Sequence, residues 1–284
     1  MMTTVFRNLL SRQFWTLPGL LLALAYAALP VALPVVLTGC ASGDSAMMSS
    51  DELPTAQDDS PDRKRARVRL ELAASYYQAG KNTIALDEVK RVMQTDSSFS
   101  DAYNLAGLIY MALGQSELAE LHFRRAIALN PRDGSPLKNL GWLQCQQKQY
   151  EQADQSFTQA LAVPGYLDTA QTLMDQGICQ ARAKNVAQAV ETLKRSYTLD
   201  PNNPITTYNL SDLLYRNGHP ADARPYIQHL NNSKLANAQS MWLGIKVERV
   251  LGNRLAAQEL GDQLLQRFGD THEASLYQRG TFDE

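Results

Sequence analysis

The stretch that most constrains the fold is residues 100–133, where small and apolar residues recur at helical spacing. One face of a first helix would carry residues three or four positions apart, namely Tyr103, Ala106, Gly107 and Tyr110. A second helix would carry a similar set, namely Ala119, Phe123, Ala126 and Ile127. Pro131 ends it, because proline has no amide hydrogen and disfavours helical geometry at the preceding residue. The sequence therefore predicts a helical hairpin with Gly107 and Ala119 at the crossing.

A single hairpin cannot bury its apolar face, so further copies are expected beside it. Shifting the 34-residue frame along the chain finds five more, at 66–99, 134–167, 170–203, 204–237 and 238–271, with a two-residue slip at Asp168 and Thr169. Pro225 falls inside the second helix of the fifth copy, and we expect it to kink or loosen that helix unless the helix starts late.

The unit at 100–133 resembles the tetratricopeptide repeat in seven of eight anchor positions, with Ala106 where leucine is usual. The resemblance implies an all-α fold, a right-handed superhelix of about six hairpins. We assign this domain to residues 63–271 and a C-terminal tail to residues 272–284.

Residues 1–39 have the layout of a secretory signal, with Arg7 and Arg12 as their only charges ahead of a long apolar run. A retained membrane-spanning helix is the alternative, since the run approaches the length that crossing requires. Pro30 and Pro34 would interrupt such a helix. The run ends in Leu37-Thr38-Gly39-Cys40, which resembles the bacterial lipobox and implies cleavage between Gly39 and Cys40.

The lipobox resemblance implies three acyl chains at Cys40, enough for a lasting membrane anchor. Ala41 is not the aspartate that marks inner-membrane retention in such lipoproteins, so the resemblance implies the periplasmic face of the outer membrane. Residues 40–62 are rich in Ser, Asp, Pro and Ala, which predicts a flexible tether.

Composition and motifs argue against several functions. Without residues 1–39, 25 basic residues face 29 acidic ones, so nucleic acid is not the expected partner. The four histidines have no companions at metal-ligand spacing, and no cofactor motif occurs. Ser135 and Lys138 form an S-x-x-K string without its usual companions. We expect no catalytic residues, no metal and no cofactor.

The repeats instead predict a groove lined by their first helices. Its expected inner wall is apolar and aromatic, which marks a protein-binding surface. The partner-binding candidates are Leu70, Tyr77, Leu108, Met111, Trp142 and Tyr208. Superhelical curvature could instead bury such residues between hairpins. We weigh the two evenly for Met174 and Ile178, and favour exposure for Tyr77, Trp142 and Tyr208.

Cys145 and Cys179 lie 34 residues apart, at the same place in adjacent repeats. In an oxidising periplasm they could form a disulfide. They could also be small buried packing residues, which is the reading the sequence favours, and the bond itself stays open.

The whole arrangement resembles the type IV pilus biogenesis lipoproteins that act as pilotins of the outer-membrane secretin. Three strings carry the likeness: 139–143 with 147–153, 211–215, and 237–245. The resemblance implies a non-enzymatic protein, monomeric when free, that binds secretin subunits and promotes their outer-membrane localisation and multimerisation. The alternative is an adaptor for cell-wall enzymes or for outer-membrane protein assembly.

Overall fold

The computed structural model describes residues 59–282, and these form thirteen α-helices with no strand between them. The helices are α1 Pro61–Gln78, α2 Asn82–Thr95, α3 Ser100–Ala112, α4 Ser116–Leu129, α5 Ser135–Gln146, α6 Tyr150–Leu161, α7 Thr169–Arg182, α8 Val186–Leu199, α9 Pro204–Arg216, α10 Pro220–Asn231, α11 Ala238–Val250, α12 Arg254–Phe268 and α13 His272–Arg279. The predicted lipidation site Cys40 and the signal at 1–39 lie outside the described residues.

The first twelve helices pair into six antiparallel hairpins, and each hairpin packs on the next. This confirms the predicted fold class. The slip at Asp168 and Thr169 also appears in the structure. Residues 162–168 connect α6 to α7, two more than the five residues 130–134 that connect α4 to α5.

The two helices of a hairpin approach closely where a glycine faces a large side chain of its partner helix. A Cβ at Gly107 would overlap the ring of Phe123, and one at Gly177 would lie 2.7 Å from Cγ of Leu193. Gly141 stands in the same relation to Phe157, at 3.0 Å from its ring. Phe123, Phe157 and Leu193 are fully buried core residues. The three glycines leave the space between the helices that these core side chains fill.

Two local features concern Pro225 and the C-terminal residues. α10 runs from Pro220 to Asn231 and includes Pro225, which is exposed and lies in its second turn, so the helix does not start late and the expected kink stays a prediction. Residues 272–284, assigned to a tail, contain α13, which packs against α11 and α12. Its approach is possible because α12 has Gly261 where any side chain would overlap the ring of Tyr277.

The last hairpins also enclose a carboxylate. Glu248 on α11 is 1% exposed and accepts hydrogen bonds from Arg224 and Gln228 on α10, both at 2.9 Å. Asn253, which precedes α12, donates a third at 2.7 Å. A buried charge needs such partners, so this network fixes α11 between its neighbours.

Cys145 on α5 and Cys179 on α7 are joined by a disulfide, with their Cα atoms 5.8 Å apart. The interpretation favoured from sequence, two unbonded packing residues, was therefore wrong, although both cysteines are indeed buried. The equal place of the two residues in adjacent repeats explains the pairing, since stacked first helices bring such positions side by side. No helix among residues 59–282 has the length and apolar character needed to cross a bilayer.

We predict that removing the disulfide will destabilise the stack. Closing a loop of this length restricts the unfolded chain, and its loss should lower the free energy of unfolding by about 3–4 kcal/mol. Urea unfolding of the wild type with and without dithiothreitol would measure this. The control is the double variant Cys145→Ser/Cys179→Ser. Its urea midpoint should match that of the reduced wild type and should not change when dithiothreitol is added. Equal midpoints for oxidised and reduced wild type would contradict the prediction.

Candidate protein-binding groove

The first helices of the hairpins form the inner side of the stack. Each of α1, α3, α5, α7 and α9 contacts the next first helix, whereas no two second helices touch within residues 59–282. Elements that meet on one side and separate on the other must curve towards the side where they meet. The first helices therefore line a concave wall, which we call the groove.

All six partner-binding candidates lie on first helices and are half-buried. Leu70 and Tyr77 belong to α1, Leu108 and Met111 to α3, Trp142 to α5 and Tyr208 to α9. Each packs its inner edge on the core of its repeats and leaves part of the side chain in the groove. The exposure expected for Tyr77, Trp142 and Tyr208 is thus partial, and their role in binding stays a prediction.

Other groove positions are covered. Met174 is 4% exposed and Cys145, in the disulfide, 2%. Ile178 is half-buried and packs against the core cluster that contains Leu193, Leu210 and Leu214. Trp242, at the inner wall of the sixth hairpin, is 6% exposed. The apolar wall is therefore interrupted, with open patches in the first three repeats and in the fifth.

The C-terminal half of the groove contains charged side chains. Arg182 lies with its guanidinium carbon 5.0 Å from the ring of Trp142. Lys246 lies 5.7 Å from the ring of Tyr215 and 5.8 Å from that of Trp242, and burial lowers the pKa of its ammonium. Burial likewise raises the pKa of the Tyr208 hydroxyl, with a further contribution from Asp212 and Glu273. The groove is thus apolar at its N-terminal end and aromatic with cations at the other.

Polar side chains bridge adjacent first helices. Asn139 on α5 donates to Asn104 on α3 at 2.9 Å, and Lys138 pairs with Asp168 at 3.5 Å.

Asp175 on α7 is also within reach of the Lys138 charge. Burial raises the pKa of Asp175 to about 6, and Lys138 and a hydrogen bond from Gln171 offset part of that rise. Asp175 was not identified from the sequence, although its place beside Lys138 in the next repeat could have suggested it.

A separate depression of about 280 Å³ is lined by residues 150–188 of α6, α7 and α8 and of the turn between α7 and α8. Asp154 in its wall accepts hydrogen bonds from Gln176 and Gln180 at 2.9 and 2.7 Å. The other titratable side chains of the depression are Tyr150 and Glu151, which also belong to α6. Within the described part of the chain, no three His, Cys, Asp or Glu side chains come together as a metal site would need.

Comparison with known protein families identifies the type of repeat. Tetratricopeptide repeat models match residues 100–133, 122–155 and 139–204. Residues 100–204 of the chain therefore carry tetratricopeptide repeats. Proteins built from such repeats are typically scaffolds for protein interactions, in keeping with a groove that carries partly exposed apolar side chains.

The chain is also homologous to proteins of type IV pilus biogenesis. It is 29% identical over 252 residues to the type IV pilus assembly protein PilF of Pseudomonas aeruginosa, covering 89% of this chain and 97% of PilF. The solved structure of Pseudomonas aeruginosa PilF superposes with a TM-score of 0.68 at 26% identity, over 78% of this chain and all of that one. PilW, described as a widely conserved type IV pilus biogenesis factor, gives a TM-score of 0.67 at 25% identity, over 75% and 97% of the two chains.

We predict that Asp175→Asn will stabilise the protein near neutral pH. A carboxyl whose pKa is raised on folding favours its neutral form, so ionised Asp175 costs stability above pH 6, and that cost fades as the pH falls towards 4. The gain should be about 1–2 kcal/mol at pH 7.5 and smaller at pH 4.5, read from urea unfolding at both values. Asp262→Asn, at an exposed site on α12, serves as the control and should change little at either pH. A gain independent of pH would contradict the assignment to Asp175 ionisation.

Proposed function

We propose that this protein is a pilotin, an outer-membrane lipoprotein that binds secretin subunits and promotes their localisation and multimerisation during type IV pilus biogenesis. The observation that carries the proposal is homology to PilF over 97% of its length, combined with a groove whose N-terminal half exposes apolar side chains. The role is non-enzymatic.

The groove suits a segment of another protein better than a small molecule. Its open patches at Leu70, Tyr77, Leu108, Met111 and Trp142 follow one another along α1, α3 and α5. An amphipathic helix or an extended segment laid across these first helices would bury them together. Half-buried aromatic side chains such as Tyr77 and Trp142 are the residue types that dominate protein interfaces, because they bury a large area with few torsions to fix.

The membrane half of the proposal rests on the sequence around Cys40. The string Leu37-Thr38-Gly39-Cys40 supports acylation of Cys40, and the polar residues 41–62 would link that anchor to the repeats. Joining a binding groove to a lipid raises the concentration of its partner at the bilayer without any new chemistry. Delivery of secretin subunits to the outer membrane would follow from tethering alone.

Trp142→Ala tests the groove. It removes the largest side chain of the apolar half and should weaken secretin capture about tenfold, measured by pull-down from detergent-solubilised outer membrane and scored for the secretin. Leu121→Ala is the matched control, because Leu121 is 61% exposed on the second helix α4. Leu121→Ala should keep the thermal midpoint of the wild type. Trp142→Ala should lower it, because part of the ring packs on the core, but the protein should stay folded at the temperature of the pull-down. Undiminished capture by a folded Trp142→Ala protein would contradict the proposed groove.

Cys40→Ala tests the anchor. The variant should fold and still bind secretin subunits in detergent, but it should leave both itself and the secretin multimers out of the outer membrane. Membrane fractionation followed by detection of secretin multimers in the outer-membrane fraction measures the outcome. Normal multimers in the outer membrane of cells with Cys40→Ala would count against lipid-dependent delivery.

A further inference from the structure

The C-terminal end of the groove is occupied by the residues that follow α13. α13 ends at Arg279, and Gly280 takes a left-handed conformation with φ of 69°. The amide of Thr281 then donates to the carbonyl of Leu276 at 3.1 Å, which closes the helix in the manner of a glycine cap. This turn sends the chain back towards α11, so that Phe282 meets the groove wall.

The ring of Phe282 lies against three residues, which we call the aromatic subsite: Trp242, Arg249 and Tyr277. It stacks on Trp242 with 5.3 Å between centroids and 21° between planes. The guanidinium carbon of Arg249 lies 3.5 Å from the centroid of the same ring, and Tyr277 meets it edge-on at 6.2 Å. The contact explains why Trp242, on a first helix that lines the groove, is only 6% exposed.

The chemistry around this ring defines what else could bind there. Stacking on an indole combined with a guanidinium over the face favours a flat aromatic side chain over an aliphatic one. Lys246, whose ammonium lies 5.8 Å from the Trp242 ring, adds a second cation on the same helix as Arg249. In the sequence, Phe282 is followed by Asp283 and Glu284. A partner segment with carboxylates next to its aromatic residue would meet these two cations with complementary charge.

Phe282 packs against the core cluster of the last helices but does not belong to a helix itself. It is half-buried and lies two residues beyond the glycine cap that closes α13. A half-buried residue outside the helices opens at a lower free-energy cost than the core helices do. A ligand that presents a similar side chain can therefore compete with Phe282 without unfolding the sixth hairpin.

We propose that the aromatic subsite binds an aromatic side chain flanked by carboxylates on the protein segment that occupies the groove, and that Phe282 is a resident self-ligand which this segment displaces. The proposal deepens the proposed function, because it assumes that the groove binds a partner. It does not depend on that partner being a secretin.

The test uses the full chain and a labelled hexapeptide with the sequence of residues 279–284, Arg-Gly-Thr-Phe-Asp-Glu. Phe282→Ala should empty the subsite, so this variant should bind the peptide in a fluorescence anisotropy titration. The wild type should bind it about tenfold more weakly, since its own Phe282 competes at a high effective concentration. A peptide with alanine in place of phenylalanine should not bind. Adding Arg249→Ala to the Phe282→Ala variant should weaken binding severalfold, and Arg249 is exposed, so its loss should leave the fold intact.

The opposite results would overturn the proposal. A folded Phe282→Ala protein that binds the peptide no better than the wild type would make Phe282 a packing residue only. If Phe282→Ala failed to fold, Phe282→Leu would replace it, since leucine keeps the apolar volume without the stacking ring, and it too should bind the peptide better than the wild type. Concentration-dependent dimers of the wild type that vanish in Phe282→Ala would identify a second copy as the occupant and contradict a foreign segment.

The same variants separate this proposal from the proposed function. Secretin pull-down with Phe282→Ala should recover more secretin than the wild type if both proposals hold. Peptide binding without any secretin capture would leave the aromatic subsite standing and remove the pilotin role. Equal secretin capture by the wild type and Phe282→Ala, without peptide binding by either, would leave the pilotin role standing and remove the aromatic subsite.

Discussion

The fold depends on how closely the two helices of each hairpin can cross. At Gly107, Gly141 and Gly177 the first helix has no side chain, and the space is filled by Phe123, Phe157 or Leu193 from the second helix. This contact buries a large side chain in every central repeat while it keeps the backbones near each other. In such a hairpin, one side of the first helix contacts the next hairpin and another side faces the groove. The close crossing of the two helices within each hairpin therefore determines where the groove lies.

The repeat architecture could be predicted from the sequence because the same physical requirement recurs every 34 residues. Gly107, Ala119 and Phe123 show it in one unit, and the copies on either side repeat it. Even the two-residue slip before α7 could be located, since the anchors on both sides of it keep their own spacing. Periodicity fails only where the repeat ends. Within the described residues α13 packs on α11 and α12 but is not followed by a second helix of its own hairpin. Residues 272–284 therefore lacked the paired pattern, although Thr271 caps the helix and Gly280 closes it as ordinary helix ends do.

The composition of the groove was harder to predict than its position. The 34-residue frame identifies which side chains point inward, but exposure depends on contacts between distant parts of the chain. Met174 is covered by the packing of its repeats, and Trp242 is covered by Phe282, forty residues later in the sequence. The Cys145–Cys179 bond and the burial of Glu248 among Arg224, Gln228 and Asn253 have the same origin. Each requires a distance between helices that the repeat pattern alone does not supply.

The central claim is that a partner segment lies along the first helices, and photo-cross-linking in the cell tests it most directly. A photoreactive phenylalanine analogue would replace Met111 in the groove or, in a separate strain, Leu121 on the second helix α4. The account predicts a covalent adduct with the pilus secretin from position 111 and none from position 121. Secretin adducts from position 121 alone, or from both positions equally, would contradict it.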